Sequence, residues 1–306
     1  SDENSQARVD TNTHKKDHKD FAHWKFFDSG VKYDASFGQG RPGWHCECSA
    51  MIDKYLSDHQ SKYAVDIHGG GADLLFPHHE NEAAQTRLAC NQEIAKYWMH
   101  NGFVNINGEK MSKSLGNSFF LKDVLKSFDG EVIRFYMLST YYRADFSFSE
   151  EDLLTSKKRL DKLYRLKKRL YGGKGSSASK DFKMSIMDSL NDDMNTSKVL
   201  ATIDEFVAKS NDALDNDSKN KALKKEIIAN IDLLDEILGI GSKDPYLYFQ
   251  FGISNEEKQN IESLIEQRST AKKEKNFELS DKIRDELTSM GVSLMDTANG
   301  TMWEKL

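Results

Sequence analysis

The stretch Asp66 to Glu82, D-I-H-G-G-G-A-D-L-L-F-P-H-H-E-N-E, constrains what this chain can build more than any other. Ala64 to His68 reads as a short buried strand. Gly69, Gly70 and Gly71 follow as a turn, and Pro77 suits the first turn of a helix running from about 78 to 91. Strand, glycine turn and helix together form a nucleotide-binding pattern, because glycine lets backbone approach a ligand where a Cβ would collide. Asp73 places a carboxylate where it can accept from a ribose hydroxyl or a substrate ammonium. His78 and Glu82 lie four apart, so both project from one helix face. Taken singly, three glycines are an ordinary loop and His-x-x-x-Glu an ordinary surface pair. Within one short segment, a site for a metal and a phosphate ester becomes the favoured reading.

With 306 residues the chain has room for two or three domains. Its 38% hydrophobic and 30% charged content describes a soluble, helix-rich protein. No apolar run approaches the ~20 residues that span a bilayer. The opening S-D-E-N-S-Q-A-R-V-D has no signal-peptide pattern. An odd set of three cysteines (Cys46, Cys48, Cys90) argues for a reducing compartment, and the chain is expected to be cytoplasmic. A net charge of −6 speaks weakly against nucleic acid. Against that stands one basic run in a single predicted helix: Lys157, Lys158, Arg159, Lys162, Arg165, Lys167, Lys168 and Arg169. A solvated helix face and a phosphate-contacting face both remain open for it.

Residues 1–20 are polar, without apolar periodicity, and read as a linker or arm. Asp20 to Phe27 is short and aromatic and is expected to dock on the next domain. Gly38 to Gly43 launches a helix near Trp44 that carries His45, Cys46, Cys48 and Met51. After the glycine segment, a second strand is expected at 102–106, paired parallel as in a doubly wound sheet. The unit is too small for a whole Rossmann domain and reads as its second half. Next comes Lys110-Met111-Ser112-Lys113-Ser114, a cationic clamp able to close on developing pyrophosphate charge. Helices are predicted at 130–141, 149–171, 180–191, 196–214 and 219–238. Asn195 or Thr196 is an N-cap and 172–177 a flexible break. Two more helices, 255–272 and 276–289, precede a hairpin around Asn299-Gly300.

With these strings in view, the chain resembles a class I aminoacyl-tRNA synthetase, most closely the cysteinyl-tRNA synthetase family. K-M-S-K-S is similar to the class I signature loop, and G-W-H-C-E-C-S-A-M to the family's zinc-cysteine helix. H-G-G-G-x-D-L-x-F-P-H-H-E-N-E is close to diagnostic. A-R-V-D followed by D-F-A-H-W-K resembles the end of the connective peptide, and M-G-V-x-L-x-D before G-T-x-W the anticodon-binding end. The family's H-I-G-H string and its first zinc cysteine are not found, so the chain is expected to lack the first catalytic half.

The resemblance implies an α/β fold, the second half of a Rossmann-type parallel sheet, followed by an all-α helical bundle and a small C-terminal α+β anticodon-binding module. The implied divisions are 1–20 (connective-peptide end), 21–118 (catalytic half), 119–148 (stem-contact region), 149–250 (bundle) and 251–306 (anticodon module). It implies zinc ligation by Cys48, His78 and Glu82, with Cys46 and His79 left to packing. Trp44 would wall the amino-acid pocket, and Asp73 would bind the substrate ammonium or ribose. His68, Gly70 and Gly71 would line the adenylate, and Lys110 and Lys113 would hold the phosphates of ATP, which enters with Mg²⁺. Asp296 and Trp303 are candidate tRNA contacts, Trp303 being equally a core anchor. The implied partners are tRNA(Cys), L-cysteine and ATP, with no membrane and a monomeric chain.

Zinc suits a cysteine ligase because a hydrophobic pocket separates cysteine from serine by only about a hundredfold, whereas zinc prefers a soft thiolate outright. Two other readings remain. One is the related ligase that joins cysteine to an amino sugar, disfavoured by the module at 255–306. The other is a non-catalytic tRNA-binding remnant, favoured by the missing H-I-G-H and opposed by the lysine loop and metal trio.

Overall fold

The computed structural model describes residues 16–17, 20–26, 30–106, 109–110, 120–297 and 300–305. The chain divides into two compact units, Ser1–Val104 with Tyr142–Phe146, and Asn105–Tyr141 with Ser147–Leu306.

In the first unit, β1 (Trp24–Phe26) and β2 (Gly40–Pro42) form an antiparallel ribbon, with Trp24 opposite Pro42. Helix α1 (Trp44–Tyr55) follows, then β3 (Tyr63–Gly71), α2 (Glu80–Cys90) and β4 (Glu93–Asn101). Strands β3 and β4 pair parallel from Tyr63↔Glu93 to Gly71↔Asn101. Their core is small: Ile52, Ala64, Ala83, Ile94 and Ala95, with Val65 and Trp98 packed against it.

This arrangement corrects three expectations. The glycines do not form the turn; they extend β3, where Gly69, Gly70 and Gly71 pair with Met99, His100 and Asn101. The chain reverses later, through a short 3₁₀ turn at Ala72–Leu74 and a wide turn at Leu75–His79. Pro77 therefore precedes α2 rather than opening it, and its bond with Phe76 is cis. Finally, the parallel partner of β3 is β4, not 102–106. Residues Val104–Ile106 form a separate strand β5, antiparallel to β6 (Glu109–Lys110). Among the described residues β3 and β4 form a two-stranded sheet of their own, so the wider doubly wound sheet is not seen.

The second unit is mainly helical. Helices α3 (Leu121–Ser127) and α4 (Gly130–Leu138) lead through β7 (Phe146–Phe148) to α5 (Glu150–Arg169), α6 (Lys180–Asn191), α7 (Thr196–Asn216) and α8 (Lys221–Leu238). Side-chain caps start most of these helices: Asp129, Ser149, Ser179, Asn195 and Asn220 each accept a backbone N–H from the first turn. A short α9 (Pro245–Tyr248) precedes α10 (Asn255–Lys273), α11 (Phe277–Ser289) and the hairpin β8 (Val292–Thr297) with β9 (Gly300–Lys305). Trp303 is buried there among Ile261, Leu264, Ile283, Leu287 and Val292. No helix among the described residues is long and apolar enough to cross a membrane.

Candidate metal and nucleotide site

His78, in the turn Leu75–His79, and Glu82, in the first turn of α2, come to one face, and α1 presents Cys48 to the same point. One ligand atom from each of Cys48, His78 and Glu82 lies within 4.8 Å of the others. Glu82 is completely buried. A carboxylate only accepts, so His68, whose Nε2 lies 2.9 Å from Glu82 Oε2, carries its proton on Nε2. The other oxygen differs. Glu82 Oε1 sits 3.0 Å from His78 Nε2, yet without hydrogen-bond geometry, and it has no hydrogen-bond partner among the described residues. A buried carboxylate oxygen left unpaired is costly, about 1–3 kcal/mol or more for a charged group. Carboxylate oxygen, imidazole nitrogen and thiol sulfur therefore converge on one point, the donor set of a metal ion of borderline softness.

A second trio, His68, His79 and Glu82, also converges. His68 Nε2 lies 2.9 Å from Glu82 Oε2 and His79 Nδ1 2.7 Å from His100 Nε2, so both histidines of this second trio already have a partner.

Burial pushes the Glu82 carboxyl up, but the His68 hydrogen bond and the neighbouring imidazoles of His78, His68 and His79 hold it net below the usual carboxylate range. The Cys48 thiol is raised by burial and by the Glu82 charge, so the free site keeps its proton on Sγ and a metal would displace it. Burial and then His68 push His79 down to about 4, so this ring stays neutral at physiological pH.

The glycines have a reason that is internal to the protein. A Cβ at Gly70 would lie 2.8 Å from His79 Cε1 and 3.0 Å from Leu74 Cδ1, and one at Gly71 would lie 2.6 Å from Asp73 Oδ1. The space above β3 is thus taken by the His79 ring and the Asp73 carboxylate. Trp44, 71% exposed, lies with its ring centroid 6.4 Å from that of His78. It lines an open cavity of about 900 Å³ with Trp24, Tyr33, Met51 and Tyr55.

Three contributors were not singled out from the sequence. His45 Nδ1 is 2.8 Å from His78 Nδ1, His100 backs His79, and Phe21 packs edge-on against His45. For His45 a signal existed: it precedes Cys48 by three residues on one helix, so both face α2. His100 comes from β4 and Phe21 from the segment before β1, and neither carried one.

The remaining candidates fall elsewhere. Lys110 lies in β6, its backbone paired with Asn105, and Lys113 is outside the described residues, as is A-R-V-D at 7–10. Asp296 accepts both guanidinium nitrogens of Arg268 (2.9 and 3.0 Å), Lys272 Nζ (2.6 Å) and Thr301 Oγ1 (2.7 Å). Arg268 and Lys272 hold its carboxyl far below the usual range. Trp303 belongs to the module core. In the basic helix α5, six of the eight cations face intramolecular partners: Lys157 with Asp161, Arg159 with Asp204, Arg165 over Phe249, Lys167 on the Gly241 and Lys243 carbonyls, Lys168 with Glu304, and Arg169 with Asp215.

A family profile described as tRNA synthetases class I (C) catalytic domain matches residues 1–158. The chain is 66% identical over 306 residues to a cysteine–tRNA ligase of Aliarcobacter butzleri. It is 63% identical over 307 residues to one of Nitratiruptor and 59% over 307 to one of Sulfurovum. Each alignment covers 100% of this chain and 66% of the relative, so the chain spans just under two thirds of their length. Among solved structures, LeuRS of Agrobacterium radiobacter K84, in a ternary complex with tRNA and LeuAMS, matches at a TM-score of 0.50. That match covers 60% of this chain and 26% of that one at 18% identity, a likeness of fold alone.

Proposed function

This chain belongs to the class I (C) tRNA synthetase family, and on that premise we propose that it carries most of a cysteine–tRNA ligase. The reaction is ATP-dependent activation of L-cysteine to the adenylate, followed by transfer to the 3′ end of tRNA(Cys). The observation that carries the cysteine assignment is the convergence of Cys48, His78 and Glu82, one ligand atom of each within 4.8 Å of the others.

Zinc held by Cys48, His78 and Glu82 would supply a soft acceptor for the substrate thiolate, which a serine hydroxyl cannot match. The chain's own residues do the rest. His68 donates its Nε2 proton to Glu82 Oε2, fixing the carboxylate so that Oε1 would be available to a metal. Trp44 walls the amino-acid pocket beside His78. Asp73 would bind the substrate ammonium or ribose, and His68 with Gly70 and Gly71 would line the adenylate. Lys110 and Lys113 would bind ATP phosphates together with Mg²⁺, stabilising charge as pyrophosphate leaves. Neither step needs a protein nucleophile, because positioning and charge suffice. Contact with tRNA is assigned to the bundle and to the module at 251–306, with Asp296 a candidate and Trp303 supporting it from the core. We take the protein to be a cytoplasmic monomer.

Cysteine-dependent ATP–pyrophosphate exchange tests this reading, on the chain alone and on the chain joined to the remaining third of a relative. Little exchange is expected alone and robust exchange when joined. Robust exchange by the chain alone would overturn the view that the remaining third is needed. Transfer of the activated cysteine to an amino sugar rather than to tRNA would favour the sugar ligase, and no exchange in either form the tRNA-binding remnant.

A further inference from the structure

Residues 20–26 run as a strap across the first unit, and its docking is tight. Gly43 N donates to His23 O at 2.8 Å, and a Cβ at Gly43 would lie 2.2 Å from Ala22 O. At Gly40 a Cβ would lie 2.4 Å from Lys25 O and from Trp24 Nε1. Cys46 Sγ reaches His23 O at 3.8 Å, and Gln85 Nε2 contacts both His23 Nδ1 (3.4 Å) and Cys46 Sγ (3.2 Å). The strap is thereby tied to both α1 and α2.

That docking sets Phe21 against the ring system behind the metal trio. Its ring lies edge-on to His45, 5.6 Å between centroids at 88°, and to Phe76, 5.8 Å at 75°. His45 in turn meets His78 through Nδ1···Nδ1 at 2.8 Å. Only one of those two nitrogens can carry the shared proton. The pair shares one proton, so the two rings must be held in complementary tautomers. The His45 ring must therefore be held at one angle, and its face and edge neighbours decide that angle.

The geometry points to Phe21 as a positioning residue: from the strap it fixes the His45 ring, and through the His45–His78 hydrogen bond it orients His78 as a metal ligand. The inference rests on the proposed metal site only in its last step, since the hydrogen bond exists in the protein without a metal.

The test is long-range ¹⁵N NMR of histidine-labelled chain, comparing wild type with Phe21→Ala, Phe21→Tyr and Gly43→Ala. Wild type should show His45 held in a single tautomer. Phe21→Ala should average the tautomers of His45, Phe21→Tyr should restore the wild-type pattern, and Gly43→Ala, which must displace the strap at Ala22, should reproduce the Phe21→Ala pattern. Should Phe21→Ala fail to fold, Gly43→Ala and Phe21→Leu, which keeps bulk without an aromatic edge, decide the same question. His45 signals unchanged in a folded Phe21→Ala or Phe21→Leu chain overturn the proposal. Cobalt(II) absorbance titration adds a second readout, with affinity about tenfold weaker in Phe21→Ala expected from loss of an outer-shell support. If wild type takes no cobalt while the tautomer shift persists, the metal assignment fails and the positioning role stands.

Discussion

At the scale of single residues, the site is built from close approaches that allow little substitution. Gly70→Ala places a methyl 2.8 Å from His79 Cε1 with Leu74 Cδ1 on the other side. The ring is buried and tied to His100, so it cannot swing clear. Overpacking of this kind costs about 1–3 kcal/mol, and we expect Gly70→Ala to lower the thermal midpoint of the first unit, read by near-UV circular dichroism at Trp98. Gly69→Ala is the control. A Cβ there meets only Met99, its carbonyl oxygen at 3.6 Å, so equal loss from both substitutions would defeat the argument. The closeness of His78 and Glu82 was legible from their four-residue spacing, and Cys48 joined them through the family resemblance. Their supporting partners were not legible. His100 and Phe21 reach the site only through strand pairing and strap docking, which leave no periodic trace in sequence.

At the scale of elements, helices were read well and the sheet poorly, for physical reasons. Helices α5, α7 and α8 carry apolar stripes and side-chain caps, both local signals. Strand β4, E-I-A-K-Y-W-M-H-N, mixes Lys96, His100 and Asn101 with apolar residues and so escapes an alternation count. The glycines of β3 imitate a turn while lying in a strand, because their missing side chains make room for His79 and Asp73. Helix α5 shows the opposite hazard: its basic run suggests a phosphate-binding face, but most of its cations hold neighbouring elements. Lys158 and Lys162 are the remaining pair, four apart. Changing both to alanine should leave stability nearly unchanged and reduce the salt slope of tRNA binding by roughly one for each phosphate no longer neutralised. An unchanged slope would assign the run to packing alone. Helix α4 is pinned by Glu131, which accepts from Tyr164 Oη at 2.7 Å and from the Gly241 amide. Burial pushes its carboxyl up despite those donors. A carboxyl raised in the folded state holds its proton longer than in the unfolded chain, so stability present at low pH is lost as pH rises from about 4.5. Denaturant midpoints of wild type and Glu131→Gln should therefore diverge in favour of Gln as pH rises through that window, and a constant gap would defeat the assignment.

At the scale of the whole molecule, the two units differ in how much they bury. The first has a core of Ile52, Ala64, Ala83, Ile94 and Ala95, three of them alanines. Of the twelve largest fully buried side chains, only Ile94 belongs to it; the others, Tyr164, Tyr246 and Phe135 among them, lie in the second. Hydrophobic stabilisation scales with apolar area removed from water, about 25 cal/mol per Å², so the two units cannot share one stability. The first unit also keeps a two-stranded parallel pair, with Ile67 and Tyr97 exposed on adjoining strands, where such pairing is usually covered on both faces. It holds the whole candidate metal trio as well, and a ligand bound only by the folded state stabilises by about 2.7 kcal/mol at one hundred times its Kd. Calorimetry of the intact chain should therefore resolve two transitions, the earlier one from the first unit. Zinc should raise the earlier transition and leave the later one in place, and in Cys48→Ala that rise should largely vanish. A single transition, or a zinc effect on the later step, would mean that the trio is not the metal site or that the two units unfold as one.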